Sequence, residues 1–517
     1  MGVVFADLPL DILYPILEHL NDAKDWCVCA VVNKTFNKGA TPLLYRSLDT
    51  RIISKVSRRL IVVVSAAVLR CDLQSVVHHP ASTLLKRPEL ASYVHHVTES
   101  GALHVRVMAG WNDITEEAVK ALSLCTSLKS FTWTDDSRSQ GFALMVFLDI
   151  IKGFPAPLEE LNIRTHNALA TEVWDETNKV AGLKRVSIWC MEGPPRVLQG
   201  WSELLGPTLT HLELGRCAGV PPTILIAVLL HLPHLEELRL KGAPASVITS
   251  VLSILPNLKV LDTEYLPSFG RSRPSSSSNP PPALTNLTVR TSSGDYLGPT
   301  KLWPWIHQLV PGPGPSLQVF SLHSFIMNVM GKGRATVPRS YILELGRIHG
   351  PTVREVLLGD AQVMLSDIEC LFELCPRVEV VSCGTVVDLG RVDMIKKAIS
   401  GGEQLRSLTL QVDWIPADNT GPINPKENST FTEEDAKDLM MRSDESKLRF
   451  ISVNDVHYTG KWVVQEDQDN GEELKGGQKR SRGDPKLEFV VTTDLPKDRW
   501  FLRFGSIPSL SKMAASS

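Results

Sequence analysis

Residues 209–240 read LTHLELGRCAGVPPTILIAVLLHLPHLEELRL, and the six-residue phrase that opens this stretch returns at its end. The phrase has the form LxxLxL, and its two copies start at Leu209 and Leu235, 26 residues apart. Because side chains alternate along a β-strand, the fourth and sixth residues of each phrase point to the same side, toward a core. Between the copies, residues 223–232 have the apolar spacing of one helical face. The stretch therefore predicts a strand, a helix and a second strand.

The same phrase recurs along most of the chain at intervals of about 26 residues. Its copies start at Leu128, Leu158, Leu183, Leu209, Leu235, Leu258, Leu284, Leu317, Val353, Val378, Leu405 and Leu448. One strand and one helix cannot bury their apolar faces alone, but stacked copies can. The pattern is the signature of leucine-rich repeats. It predicts an α/β solenoid of about eleven or twelve irregular repeats, with a curved parallel sheet inside and helices outside. The alternative is a doubly wound α/β domain, which also alternates strand and helix.

The third and fifth residues of each phrase point away from the core, onto the predicted concave wall of the sheet. Residues one step beyond the phrase face the same way if the strands extend. Mixed charges and an aromatic side chain on such a wall suit protein recognition, in which Trp and Arg often dominate the binding energy. The candidate target-binding residues are Arg185, Trp189, His211, Glu213, Glu237, Arg239, Lys241 and Asp262. For any one of them, a plain solvated strand face is the alternative.

A different pattern occupies residues 5–48, FADLPLDILYPILEHLNDAKDWCVCAVVNKTFNKGATPLLYRSL. A helix is expected to start near Pro9, because proline is favoured in the first turn. Apolar residues then follow at helical spacing, and a second apolar run covers residues 26–32. These short helices contain too few residues for an ample core of their own. Such a segment is expected to need a partner surface.

This segment resembles an F-box. The residues that carry the resemblance are Leu8-Pro9, Asp11, Ile12-Leu13, Ile16-Leu17, Leu20, Asp25-Trp26, Val32 and Phe36. The sequence departs from the family pattern at Asn33 and Phe36, where Cys and Trp are common. Pro15 also lies inside the first helix, where it is expected to cause a kink. The resemblance implies contact with a Skp-type adaptor, made or supported by Leu8, Pro9, Ile12, Leu13, Ile16, Leu17 and Val32.

Together the two patterns resemble F-box proteins with leucine-rich repeats, a kind common in fungi. The resemblance implies a non-catalytic substrate receptor of a Skp–cullin–F-box ubiquitin ligase. The adaptor would connect it to a cullin, and the repeats would bind a protein target whose identity the sequence does not reveal. Apart from that complex, we expect a monomer located in the cytoplasm, the nucleus or both. The alternatives are an F-box scaffold that acts outside ubiquitination and a repeat protein capped by N-terminal helices.

The sequence predicts four regions. They are the F-box at 5–48, a helical linker at 49–93, the repeats at 94–455 and a C-terminal extension at 456–517. Within the linker, the apolar stretch 56–74 differs from its surroundings and is interpreted as an insertion. Within the extension, residues 465–485 are polar and charged and are predicted to be disordered.

The composition argues against several other classes of function. A net charge of −3 favours neither nucleic acid nor an anionic membrane as the main partner. The most apolar run, residues 60–69, is too short to span a bilayer. No GxSxG, HExxH or Walker A motif occurs, and no cofactor is expected. The pairs His78-His79 and His95-His96 are predicted to be exposed or interfacial, because neighbours on a strand point to opposite faces.

Overall fold

The computed structural model describes most of the chain, in segments. The described residues are 9–20, 22–50, 79–104, 112–135, 141–266, 281–292, 299–311, 314, 316–325, 336–415, 431–465 and 486–494. Several sequence predictions lie outside these ranges: those on Leu8, His78, the apolar stretch 56–74 and all but the first residue of the segment 465–485.

The described chain forms two compact units, the first ending at Leu258 and the second beginning at Lys259. The first unit begins with three helices and continues with alternating strands and helices. Its elements are α1 (Leu10–Glu18), α2 (Ala23–Val32), α3 (Lys34–Tyr45), β1 (Ser47–Asp49), α4 (Ala81–Lys86), β2 (His96–Ser100), α5 (Asn112–Ser123), β3 (Ser130–Asp135), α6 (Phe142–Lys152), β4 (Glu160–Thr165), α7 (Thr171–Thr177), β5 (Arg185–Trp189), α8 (Pro194–Val197), α9 (Ser202–Leu205), β6 (His211–Gly215), α10 (Pro222–Leu230), β7 (Glu237–Leu240) and α11 (Ala245–Ile254). Two 3₁₀ helices, Pro88–Tyr93 and Gly101–His104, flank β2.

The second unit continues the alternation and ends in a hairpin. Its elements are β8 (Val260–Tyr265), β9 (Asn286–Ser292), α12 (Pro299–Leu309), β10 (Val319–Phe325), α13 (Arg339–His349), β11 (Glu355–Gln362), α14 (Leu365–Leu374), β12 (Val380–Asp388), α15 (Val392–Ala398), β13 (Ser407–Ile415), α16 (Glu433–Met440), β14 (Phe450–Val453), β15 (Val456–Gln465) and β16 (Lys486–Asp494).

Within each unit the strands lie side by side in the order in which they occur in the chain. β1 to β7 pair in parallel. β8 to β14 also pair in parallel, and β15 and β16 add an antiparallel end. A doubly wound domain would require a reversal of strand order, which the described strands of neither unit contain. The predicted repeat of strand and helix, typical of leucine-rich repeats, is confirmed.

The fourth and sixth residues of the phrases form the core, as their alternation predicts. Leu212 and Leu214 of β6 are buried, and so are Leu238 and Leu240 of β7. Full burial of one such side chain contributes about 1.5–3 kcal/mol. Residues of this kind recur along the strands, so the inward rows stabilise both units.

The sheet extends beyond the repeats that the sequence predicted for residues 94–455. β1 lies in the predicted F-box and linker regions, yet it pairs in parallel with β2. It went unrecognised because a strand of three residues carries only one apolar side chain, Leu48. At the other end, β15 and β16 form a hairpin within the predicted C-terminal extension.

A buried carboxylate on β2 joins Thr50, the residue that follows β1, to the elements around β2. Glu99 Oε2 accepts a hydrogen bond from Thr50 Oγ1 at 2.9 Å and lies 3.4 Å from His79 Nε2. It also lies 3.3 Å from His104 Nε2, while His104 Nδ1 is 3.0 Å from Thr115 Oγ1. Thr50 and His79, the residues on either side of 51–78, therefore meet at one oxygen atom. This network connects the end of the helical segment to the first repeats.

The prediction that His79 is exposed or interfacial is wrong, because its side chain is buried. Its Nδ1 accepts a hydrogen bond from the Ala81 N–H at 3.1 Å. Nε2 is therefore the nitrogen that carries a proton toward Glu99. The pairing with a carboxylate twenty residues away explains how a polar ring is accommodated in the interior.

We expect Glu99→Gln to lower the free energy of unfolding by about 1–3 kcal/mol at pH 7, because the buried hydrogen bonds would lose their charged acceptor. Burial alone would raise the pKa of Glu99, but hydrogen bonds from His104 and His79 outweigh it and lower the pKa below its usual 4.5. The stabilisation is therefore complete above pH 4.5 and is lost as the pH falls toward the lowered pKa. Urea unfolding should show that the difference in free energy of unfolding between wild type and variant becomes smaller below pH 4.5.

Glu116→Gln is the matched control, because Glu116 is an exposed acid paired with Lys120 on the surface of α5. It should leave the urea midpoint unchanged at pH 7. A Glu99→Gln variant as stable as wild type at pH 7, or a difference that becomes larger below pH 4.5, would contradict the role assigned to the network.

Candidate protein-binding surfaces

The three N-terminal helices pack around a small apolar core. Leu13 and Leu17 of α1 are buried against Ala40 and Leu43 of α3. Gly39 permits this contact, because a Cβ at that position would lie 3.1 Å from Leu17 Cδ1. Tyr14, Leu20, Trp26, Cys29, Ala30 and Phe36 pack around this cluster. The core is small, as expected for a segment of this length.

Side-chain hydrogen bonds define where these helices begin and end. Asp22 caps α2 by accepting from the Lys24 N–H at 2.9 Å, and Asn33 caps α3 by accepting from the Phe36 N–H at 2.8 Å. Trp26 Nε1 donates to the Leu17 carbonyl at 2.8 Å, which satisfies a carbonyl at the end of α1. α1 includes Pro15, so the helix continues past the residue at which a kink is predicted.

The residues predicted for adaptor contact fall into two groups. Leu13, 1% exposed, and Leu17 lie in the three-helix core and can only support a contact. Ile12 and Ile16 are each 51% exposed and form a second apolar row on α1. Val32, at the end of α2, is 59% exposed, and Pro9 is also exposed.

The exposed apolar surface is larger than the sequence analysis indicated. Val28 and Val31 of α2 are exposed beside Val32, and Leu10 is exposed at the start of α1. Their spacing of three and four residues places the three valines on one helical face. That spacing is readable from the sequence, but of these three valines the sequence analysis names only Val32 for adaptor contact. Two short helices thus each present an apolar row to solvent.

The second candidate surface is the outward face of β4 to β7. Because these strands pair in parallel and in register, equivalent positions of successive phrases lie side by side. The first ladder is Glu160, Arg185, His211 and Glu237, and the second is Asn162, Ser187, Glu213 and Arg239. The third begins with Arg164, Trp189 and Gly215. Lys241 continues the third ladder, because its N–H donates to the Leu214 carbonyl at 2.9 Å.

An ion pair between the first and second ladders partly neutralises both. The Arg239 guanidinium bonds Glu237 through Nε at 2.7 Å, and His211 Nε2 lies 3.5 Å from the same carboxylate. Burial, together with the positive charge of Arg185, lowers the pKa of His211 below its usual value. His211 is therefore neutral at pH 7 and offers hydrogen bonds rather than charge.

The third ladder is centred on Trp189. The ring lies over Gly215, where a Cβ would come within 2.1 Å of Trp189 Cδ2. Trp189 Nε1 donates to Glu213 Oε1 at 3.1 Å. The Arg164 Cζ and Lys241 Nζ atoms lie 4.6 Å and 4.4 Å from the ring centroid. The sequence analysis named Trp189 and Lys241 but missed Arg164, which stands two residues beyond Asn162 in the same periodic pattern.

Asp262 differs from the other predicted target-binding residues. It lies in the second unit, on β8, and is only 8% exposed. Arg290 of β9 binds it with two hydrogen bonds, Nε to Oδ1 at 2.8 Å and Nη2 to Oδ2 at 2.7 Å. The expectation of an accessible acid is wrong here, because the next strand supplies a bidentate partner.

Ser202, His231 and Glu203 form a serine–histidine–acid arrangement. Ser202 Oγ lies 2.9 Å from His231 Nδ1, and Glu203 Oε1 lies 3.8 Å from His231 Nε2. Ser202 is only 1% exposed, so its hydroxyl is closed to a substrate. In the described ranges, no group of three or more His, Cys, Asp and Glu side chains is suited to a metal ion. No helix there is both long and apolar enough to cross a bilayer.

These features define a helical domain with exposed apolar rows, followed by strand–helix repeats with a polar, aromatic-bearing strand face. Residues 5–51 match the F-box-like family model. The chain therefore carries an F-box-like domain at its N-terminus, and the resemblance noted in the sequence is confirmed. No curated protein matches the chain.

Three solved structures illustrate what the chain is similar to. The crystal structure of the yeast Rad7 and Elc1 complex contains a chain that is 12% identical to this one, with a TM-score of 0.40. The match covers 78% of this chain and 97% of that chain. A leucine-rich-repeat protein of Leptospira interrogans is 13% identical, with a TM-score of 0.31, covering 70% of this chain and 91% of its own length. The TLR13–ssRNA13 complex gives 14% identity and a TM-score of 0.32, covering 70% of this chain and 56% of its own length.

The two apolar rows of α1 predict opposite responses to truncation. Leu13→Ala should destabilise the three-helix domain by about 2–5 kcal/mol, because it opens a cavity in a small core. Ile12→Ala should change stability by about 0.5 kcal/mol or less, because the side chain is already half exposed. Amide hydrogen exchange in α1 to α3 measures both. Equal exchange rates in the two variants would contradict the conclusion that Leu13 is in the buried row and Ile12 in the exposed row.

Proposed function

We propose that this protein is the substrate-recognition subunit of a Skp–cullin–F-box ubiquitin ligase. The match of residues 5–51 to the F-box-like family carries the proposal. In this role the helical domain docks on a Skp-type adaptor, which connects the chain to a cullin. The repeats hold a protein target within reach of the ubiquitin-charged enzyme elsewhere on the complex. The chain contributes proximity and orientation rather than side-chain chemistry.

The exposed rows of α1 and α2 support the docking role. Ile12 and Ile16 on one helix and Val28, Val31 and Val32 on the next leave apolar area in water. Contiguous exposed apolar area on a soluble protein typically marks an interaction site. Burial of one such side chain against an adaptor contributes about 1.5–3 kcal/mol. The buried row of Leu13 and Leu17 keeps α1 in place, so that the exposed row is presented in one fixed orientation.

The strand face of β4 to β7 supports target recognition by the repeats. It combines ion-paired charges, a neutral histidine and a tryptophan on a rigid parallel sheet. Protein-binding surfaces typically concentrate their energy on Trp and Arg side chains of this kind. We expect the protein in the cytoplasm, the nucleus or both, and we expect a monomer outside the ligase complex.

Affinity capture from cells that co-express the full-length chain, a Skp-type adaptor and a cullin tests the proposal. We expect Ile12→Glu and Ile16→Glu each to reduce adaptor capture about tenfold or more, because each buries a charge where apolar area was to be covered. Leu230→Glu is the matched control. Leu230 is an apolar residue, 58% exposed, on α10, and its replacement should leave capture unchanged.

Adaptor capture that survives both substitutions on α1 would overturn the docking role. Recovery of adaptor without cullin would instead favour an F-box scaffold that acts outside ubiquitination. Recovery of neither would favour N-terminal helices that only cap the repeats.

A further inference from the structure

An acid on the outward face of the second unit stands between two apolar side chains. Glu355 points outward because the next residue of β11, Val356, is buried and side chains alternate along a strand. The register aligns Glu355 with Val319 of β10 and with Val380 of β12. Neighbouring strands lie about 4.8 Å apart, so a valine flanks the glutamate on either side. The half-buried acid is therefore part of an otherwise apolar row.

In the described part of the chain, no cation pairs with the Glu355 carboxylate. Two arginines that precede nearby strands are paired with Glu379 instead. Arg354 Nη1 lies 3.2 Å from Glu379 Oε1, and Arg406 Nε lies 3.3 Å from Glu379 Oε2. Burial, together with the negative charge of Glu379, raises the pKa of Glu355 above its usual value. A half-buried charge without a partner costs free energy, which an added cation would recover.

The first ladder of the other unit treats its acids differently. There the register places Arg185 of β5 beside Glu160 of β4, and His211 of β6 beside Glu237 of β7. Each of these acids has a basic side chain on the next strand, whereas Glu355 has a valine. The face around Glu355 thus combines apolar area with one uncompensated negative charge. A Lys or Arg side chain, with its apolar stem and charged end, is complementary to both.

The row beyond Glu355 continues this surface without charge. Leu357 of β11 is aligned with Ser321 of β10 and Ser382 of β12. Directly after Leu357 the register between β11 and β12 shifts, and Gly359 takes a left-handed φ of +57°. Bulges of this kind often occur beside functional sites, where they end the regular pairing of a strand. The apolar face with its single acid therefore ends at an irregularity of the sheet.

We propose that Glu355, with Val319, Leu357 and Val380 around it, binds the positively charged side chain of a Lys or Arg in an extended segment of the target protein. The ammonium or guanidinium group donates to the carboxylate, and the methylene stem packs on the two valines. The inference rests on the proposed function for the identity of the partner as a target. An acidic side chain is disfavoured at this position, because the Glu355 carboxylate would repel it.

Oriented peptide arrays test this inference with the full-length chain purified with a Skp-type adaptor. The probes are degenerate nonapeptides with a central Lys, Arg, Gln or Glu. We expect central Lys or Arg to be retained about threefold to tenfold better than central Gln, a range between an exposed ion pair and a charged hydrogen bond. Glu355→Gln should lose this preference. It should not lower the urea midpoint, because the acid has no internal cation to lose.

Val380→Lys tests the site while the acid remains. The new ammonium would lie on the strand beside Glu355 and could pair with it across the sheet. The variant should therefore reduce the preference for Lys or Arg at least threefold. Glu373→Gln is the matched control, because Glu373 is an exposed acid on α14 in the same unit. It should keep the preference.

No central preference in wild type, stronger retention of central Glu, or a preference unchanged in Glu355→Gln or Val380→Lys would each overturn the inference. Adaptor capture in the same preparations separates the two proposals. Normal capture without a preference for Lys or Arg defeats only the cation-binding site, whereas such a preference without capture defeats only the ligase role.

Discussion

The structure depends on the burial of one row of apolar side chains on every strand. A strand with Leu at alternate positions has one face that must leave water, and the helix that follows it covers only part of that face. The rest is covered by the neighbouring repeats, so the strands must lie parallel and in register. Register has a second effect on the opposite face. It aligns equivalent outward residues into ladders, so that a surface such as Arg164, Trp189 and Lys241 arises from positions one or two repeats apart in the chain.

The sequence predicted the buried rows well because alternation is a local property. Leu212 and Leu214 face inward because side chains alternate along the strand, and the equivalent residues of the other repeats do so for the same reason. By the same alternation, Trp189 faces outward. Local patterns could not predict which side chains each outward residue contacts. The sequence predicts that Asp262 binds a target, but its carboxylate is bonded to Arg290, which lies 28 residues away in the next strand. That distance is one repeat, and no feature within a single phrase encodes it.

The helical segment shows the same limit in another form. Ile12 and Ile16 have the same spacing as Leu13 and Leu17, so periodicity alone cannot tell the exposed row from the buried one. Packing against α3 determines which row is buried, because Gly39 lets the α3 backbone approach the leucine row. The two candidate surfaces consequently differ in chemistry. The helices present exposed apolar side chains, which suit binding to one constant partner. The ladders present charges and an indole, which suit discrimination among different partners.

The hydrogen bonds at Glu99 have a consequence for the way such a chain changes over time. Thr50 and His79 are held at the same carboxylate oxygen, although residues 51–78 lie between them in the chain. The entropy of closing a loop grows only with the logarithm of its length, about 0.6 kcal/mol for each doubling. For a flexible connection between two such anchors, a change in length therefore costs little stability. A pair of anchors of this kind at the junction of two domains is thus a place where inserted sequence costs little stability.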